Sequence, residues 1–180
     1  MKLKDIDYQI LYELMKNPKI SDRKLAVKIG STQPTVTRKR ARLEREGLIK
    51  YVGIPNLEKL GYEIMAISFS KWTSHALTEM LPTKEFDKQI KLFFSKHPNV
   101  IFASTGGHGV DGMDSVSISV HKNYADYHKW VDDVKATWGK NIAKFDSHLI
   151  SLKNSSIVRQ ITMEHLPEHI DKTRTNDIQK

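Results

Sequence analysis

Apolar residues recur along the first third of the chain with the period of a helix. Ile6, Ile10, Leu11, Leu14 and Met15 form one stripe over residues 4–17, with Asp5 and Asp7 near its start. Asn17-Pro18 ends that helix, because proline disfavours helical geometry in the residue before it. Ser21 is an N-cap for a second, short helix carrying Asp22 in its first turn and Leu25, Ala26 and Ile29 on one face, with Gly30 closing it. Thr32 caps a third helix, where Pro34 in the first turn removes no intrahelical hydrogen bond, and Gly47 stops it after Glu46. Helix, short helix, glycine-containing turn and helix make a helix-turn-helix. Leu48–Ile54 then has strand composition, expected as a wing or connecting strand, and a short helical turn at 57–60 ends at Gly61.

From Tyr62 the period changes. Tyr62–Trp72 alternates as a strand with Met65, Ile67 and Phe69 on one side. Residues 83–97 are helical, capped by Thr83, with Phe86, Ile90, Phe93 and Phe94 as the buried stripe. Val100–Thr105 and Val116–Val120 are strands, and Asn123 opens a helix with the stripe Tyr127, Trp130, Val131, Val134 and Trp138, closed by Gly139. A fourth strand is expected at 143–152 and a fifth at 157–163. The order β-α-β-β-α-β is the split ferredoxin-like unit. Its two helices cover one sheet face, and the other face, read as only moderately apolar because Ser117 and Ser119 alternate with apolar neighbours, needs a partner such as a second copy. The fold class is therefore α+β: an N-terminal (winged) helix-turn-helix domain at 1–61, a ferredoxin-like βαββαβ domain at 62–166, and a polar tail at 167–180.

Charge sharpens this division. Residues 1–60 carry 14 Lys and Arg against 7 Asp and Glu, whereas the remaining 120 carry 15 against 14, so nearly all of the +8 net charge sits in the first third. A basic head on a neutral body suits a polyanion. On the third helix Val36, Leu43 and Gly47 share one side, and Pro34, Thr35, Arg38, Arg42 and Arg45 fall mostly opposite, flanked by Gln33, Thr37 and Lys39. Arginine reaches guanine O6 and N7 in two-point fashion. The expected DNA-contacting set is Gln33, Thr35, Thr37, Arg38, Lys39, Arg42, Arg45 and Lys50. Arg38 and Arg42 are placed for base reading or groove-edge phosphate, and Lys39, Arg45 and Lys50 for phosphate. Arg40 breaks the pattern by falling near the Val36 direction, either snorkelling past the helix edge or pairing with Glu44.

Other chemistry is thin. The chain has no cysteine, no apolar run of membrane-spanning length and no apolar leader behind Met1, and a cytoplasmic, nucleoid-associated protein is expected. The loop Thr105–Asp114 holds four glycines, and Gly106, Gly107, Gly109, Asp111 and Asp114 are candidates to cradle a carboxylate or phosphate. His108, Asp111 and Asp114 have the spacing of a metal cluster but no nameable supporting partner, so neither a metal nor a cofactor is expected. No P-loop, Rossmann fingerprint or nucleophile elbow is present.

The segments Asp5–Leu14, Asn17–Ser21, Leu25-Ala26…Ile29-Gly30, Thr35–Arg38, Arg42–Ile49 and Leu60-Gly61 resemble the Lrp/AsnC family of feast/famine transcription regulators. The resemblance implies a double-stranded DNA partner, assembly as a homodimer and, beyond that, a tetramer or octamer. It also implies an amino-acid effector in the 105–114 loop. Arg40 stands at a usually apolar position, and Thr73–Pro82 and the 105–114 loop are longer than the family's connections. Siroheme decarboxylases resemble the same architecture, which makes an enzyme acting on a tetrapyrrole the alternative. Eight histidines favour it, but Arg159 and Arg174, the only arginines beyond residue 60, are few for several propionates.

Overall fold

The structure is a computed structural model that describes residues 3–107, 109–153, 157 and 161–168. The chain divides into two compact units, one comprising Met1–Ile54 with Arg159–Lys180 and the other Pro55–Val158.

The first unit holds α1 (Asp5–Lys16), α2 (Asp22–Lys28) and α3 (Gln33–Arg45). Each begins where its cap chemistry places it. Ser21 Oγ accepts from Lys24 N–H and Thr32 Oγ1 from Thr35 N–H, satisfying amides that have no intrahelical partner. Gly47, at φ 71°, turns the chain out of α3 while its N–H and that of Leu48 donate to Glu44 and Leu43 carbonyls, a left-handed closure that a side chain would strain. Ile10, Leu14, Leu25, Ala26, Val36 and Leu43 are all buried and form one core. Against expectation, 48–54 is not a strand: the described residues of the head offer it no partner strand, and Val52 and Ile54 stay exposed. Pro167 is fully buried in this unit, and Lys16 Nζ lies 3.5 Å from Glu168. With Leu166 it walls a cleft of about 610 Å³ whose other side includes Tyr12, Met15, Ile29 and Ile49.

The second unit is a four-stranded antiparallel sheet in the order β2-β3-β1-β4, built from β1 (Ile64–Trp72), β2 (Val100–Thr105), β3 (Ser115–His121) and β4 (Ile142–Ser151), with α4 (Lys84–Lys96) and α5 (Tyr124–Trp138) between them. This is the expected βαββαβ arrangement. A π-helical turn, Ala76–Met80, fills the long β1–α4 connection. The expected fifth strand is absent at Ile157 and at 161–163, and 158–160 lie outside the described residues, as does the tail from 169 on. The turn at 56–61 folds with this unit, where Lys122 Nζ donates to Leu60 O at 2.6 Å, so the division falls before the 61/62 junction.

Which sheet face meets the helices differs from expectation. Ala66, Ser68 and Trp72 are buried on β1, and Ala66 pairs across with Ser119, itself wholly buried. Met65, Ile67 and Phe69 share the other face with Val116 and Ile118 on β3 and Ile150 on β4. The reason is volume. Trp72, Phe86, Phe93, Trp130 and Trp138 crowd the helix side, all but Trp130 packing edge to face with one another, which leaves small residues the best fit beneath them. Ser68 Oγ and Ser147 Oγ hydrogen-bond at 2.8 Å and Ser119 Oγ lies 2.8 Å from His121 Nε2, so these buried hydroxyls are paired. The face the helices leave open thus carries large apolar side chains on β1 and β3, with His148 and Asp146 of β4 beside Ile67 and Phe69.

Candidate nucleic-acid interface

The basic side chains of α3 divide into two groups, and the division follows from acids on neighbouring segments. Asp7 sits at i, i+3, i+7 with Ile10 and Leu14, on the buried stripe of α1, and is fully shielded from solvent. Its carboxylate accepts from Lys4 N–H at 2.8 Å and from Lys39 Nζ at 2.8 Å, and Arg42 Nη2 lies 2.8 Å away. Burial pushes the Asp7 pKa up, but the hydrogen bonds from Lys39 and the Lys4 amide, the Lys39 charge and the Arg42 contact outweigh it, leaving the carboxyl below its ordinary value. The carboxylate is therefore ionised inside the head and holds two cations of α3.

Asp22 holds a third. Arg40 Nη1 donates to Asp22 Oδ1 at 3.1 Å and to Ile20 O at 3.0 Å, while Thr37 Oγ1 donates to Asp22 Oδ2 at 2.7 Å. Arg40 also reaches Glu44 at 3.1 Å, so the pairing alternative is realised, with further partners that the helix alone does not foretell.

What remains outward is a compact face. Gln33, Pro34, Thr37, Arg38, Ala41 and Arg45 are exposed on α3, with Pro34, Arg38, Ala41 and Arg45 following i, i+4, i+7, i+11. Arg38 makes no hydrogen bond or ion pair among the described residues, and Arg45 only a loose one to Glu46 at 3.8 Å. Lys50 is exposed just beyond the helix, and Thr35 is half-buried with its hydroxyl accepting from Thr32 Oγ1. Of the expected set, Arg42 and Lys39 thus turn inward to Asp7, and Arg38, Arg45, Gln33 and Thr37 form the accessible face. The acids were the missed residues, and their signal was present: an aspartate on a buried stripe requires a partner.

The expected effector loop is closed on itself. Gly107 N–H donates to Asp114 O and Gly109 N–H to Met113 O, both at 2.7 Å, and a Cβ on Gly109 would come within 2.8 Å of that carbonyl. Asp114 accepts from Trp72 N–H at 3.2 Å. Gly106 stays at the surface, as does Asp111, whose carboxylate lies 3.3 Å from Lys144 Nζ. His108 lies outside the described residues, and among the described residues no three His, Asp or Glu side chains converge as a metal site.

A basic face on the third helix of a tri-helical unit, followed by a split βαββαβ sheet, defines a helix-turn-helix unit with a second compact unit after it. Residues 3–50 match the winged helix-turn-helix DNA-binding family. An uncharacterized HTH-type transcriptional regulator of Pyrococcus furiosus is 39% identical over 62 residues, which is 34% of this chain and 42% of that relative. Among solved structures, Bacillus subtilis LrpC is similar at TM-score 0.65 with 21% identity, over 89% of this chain and 98% of its own. Escherichia coli AsnC is similar at TM-score 0.60 with 14% identity, over 89% and 99%. A Neisseria meningitidis transcriptional regulator in complex with L-Met is similar at TM-score 0.68 with 15% identity, over 92% and 99%. The head has the three-helix arrangement that this family's model matches, and the chain has the two-domain fold of the Lrp/AsnC regulators. No helix among the described residues is long and apolar enough to cross a membrane.

Proposed function

We propose that the chain is a sequence-specific transcription regulator of the Lrp/AsnC type, acting in the cytoplasm on double-stranded DNA. The observation that carries this reading is the outward face of α3, where Arg38 and Arg45 are left to the solvent after three other cations of the helix have been tied inward. A helix seated by Val36 and Leu43 with donors on its far side suits the major groove. Arg38, Gln33 and Thr37 are assigned to base edges, and Arg45 and Lys50 to phosphates.

A homodimer is the proposed unit, its support being the uncovered apolar sheet face around Ile67, Phe69 and Ile118. Two heads then read half-sites about 34 Å apart. An amino-acid effector is proposed at the 106–114 loop. One structural neighbour is an L-Met complex. In this chain the exposed Asp111 and Lys144 supply opposite charges for an ammonium and a carboxylate.

The test is binding of the purified chain to genomic fragments over a range of salt. A steep fall of affinity with salt, preference for particular fragments and loss with Arg38→Ala are expected. Absence of binding even at low salt overturns the reading.

A further inference from the structure

Arg40 stands on the same stripe of α3 as Val36 and Leu43, where an apolar side chain would seat the helix. Its guanidinium instead spans three segments. Nη2 donates to Pro18 O at 3.3 Å and Nη1 to Ile20 O at 3.0 Å, both on the turn between α1 and α2. Nη1 also donates to Asp22 at the start of α2. Nε lies 3.1 Å from both Glu44 Oε1 and Tyr51 OH, and Tyr51 OH in turn donates to the same Glu44 oxygen at 2.8 Å. The Arg40 guanidinium carbon sits 5.3 Å from the centre of the Tyr51 ring. A planar group with donors fixed in a fork satisfies this set of acceptors at once; a lysine's single ammonium does not.

We propose that Arg40 is a positioning residue for DNA binding: it touches no DNA and fixes the roll and height of α3 against the Pro18–Asp22 turn and the segment leaving the helix at Tyr51. The proposal rests on the DNA-binding reading above. Its physical basis is direction. An apolar contact at this place tolerates sliding, whereas hydrogen bonds to two carbonyls and the Asp22 carboxylate, all outside α3, hold the helix at one angle. That angle sets where Arg38, on the opposite side of the helix, meets a groove.

The experiment uses the full chain with Arg40→Met, Arg40→Lys and Arg38→Ala. DNA affinity is measured as a function of salt, and amide exchange is followed at Lys19 and Ile20, whose N–H groups bond to Asn17 within the clamped turn. Both Arg40 variants are expected to speed exchange there. They are also expected to lower affinity about tenfold, the scale of one lost charged hydrogen-bonding hub, with an unchanged salt slope. Arg38→Ala is expected to reduce the slope by about 0.9 and leave exchange at the turn unchanged. The proposal is overturned if Arg40→Met reduces the salt slope by that same step, if Arg40→Lys restores wild-type affinity, or if neither variant alters exchange at the turn. Should the wild-type chain bind no DNA, the regulator reading fails, and the exchange measurement still decides whether Arg40 clamps the turn.

Discussion

Arg42 on α3 and Asp7 on α1 meet at 2.8 Å, and the carboxylate between them is wholly withdrawn from water. One turn earlier, Arg38 on the same helix is exposed. Two arginines that are equivalent on a helical wheel are thus assigned different work by one acid on another helix.

That difference is measurable. Arg38→Ala is expected to weaken DNA binding and lower its salt dependence while leaving thermal stability within about 0.5 kcal/mol of wild type. Arg42→Ala should destabilise the head by about 1–3 kcal/mol, because it strips a buried carboxylate of a partner, although Lys39 remains. Denaturant unfolding beside a binding titration separates the two. Equal loss of salt dependence in both variants would contradict the assignment.

Acid should act through Asp7. Its carboxyl pKa is depressed in the folded head, so the unfolded chain takes up the proton first. The stabilisation is complete above the unfolded value of about 3.9 and is lost as pH falls through the folded one. Asp7→Asn is expected to be less stable than wild type at pH 7, with the gap closing below about pH 4. A constant gap across an acid titration would place the stabilisation elsewhere.

In the second unit, His121 is buried against Tyr127 and Trp130, with Ser119 Oγ 2.8 Å from Nε2. Burial lowers its pKa, and the Asp126 carboxylate offsets only part of that. A neutral buried histidine stabilises the fold above the unfolded pKa of about 6.5, and the contribution falls away as pH drops through the folded value. Unfolding of wild type should therefore become easier as pH falls below about 6.5, and His121→Asn should show a flatter profile there. Matching slopes for the two proteins would refute this.

The uncovered sheet face predicts an assembly phenotype. Phe69→Glu places a charge among Ile67, Val116 and Ile118 without touching the aromatic core on the other side. The expected result is a monomer in sedimentation with unchanged far-ultraviolet circular dichroism. A variant that stays dimeric would mean that another surface holds the copies together.

The helix ends were legible because their causes are local: Ser21, Thr32 and Thr83 each cap the helix that follows them within three residues. The strand order was legible from alternation and helix placement. The face of β1 was not. Alternation marks two sides of a strand, but the side that is buried depends on how large the opposing residues are, here Trp72, Trp130 and Trp138. In the head, the inward turn of Lys39 and Arg42 depends on Asp7, 32 residues away from Lys39 in the chain. Arg40 was recognised as anomalous from its helical angle, yet two of its acceptors are backbone carbonyls that carry no side-chain signature. The return of Pro167 to the head was likewise hidden, since one proline in a polar stretch announces no destination.

That return has a consequence for synthesis. The head draws on residues from both ends of the chain, with Leu166 and Pro167 walling the cleft beside Tyr12 and Ile49. Domains generally fold as units and in order of emergence from the ribosome. Here the three helices emerge before the sheet, but the wall that completes their unit is translated only after it. The helices of the head are made before the sheet and the wall of their cleft after it, so a chain still lacking residues 166–167 displays its basic helix while that cleft is open.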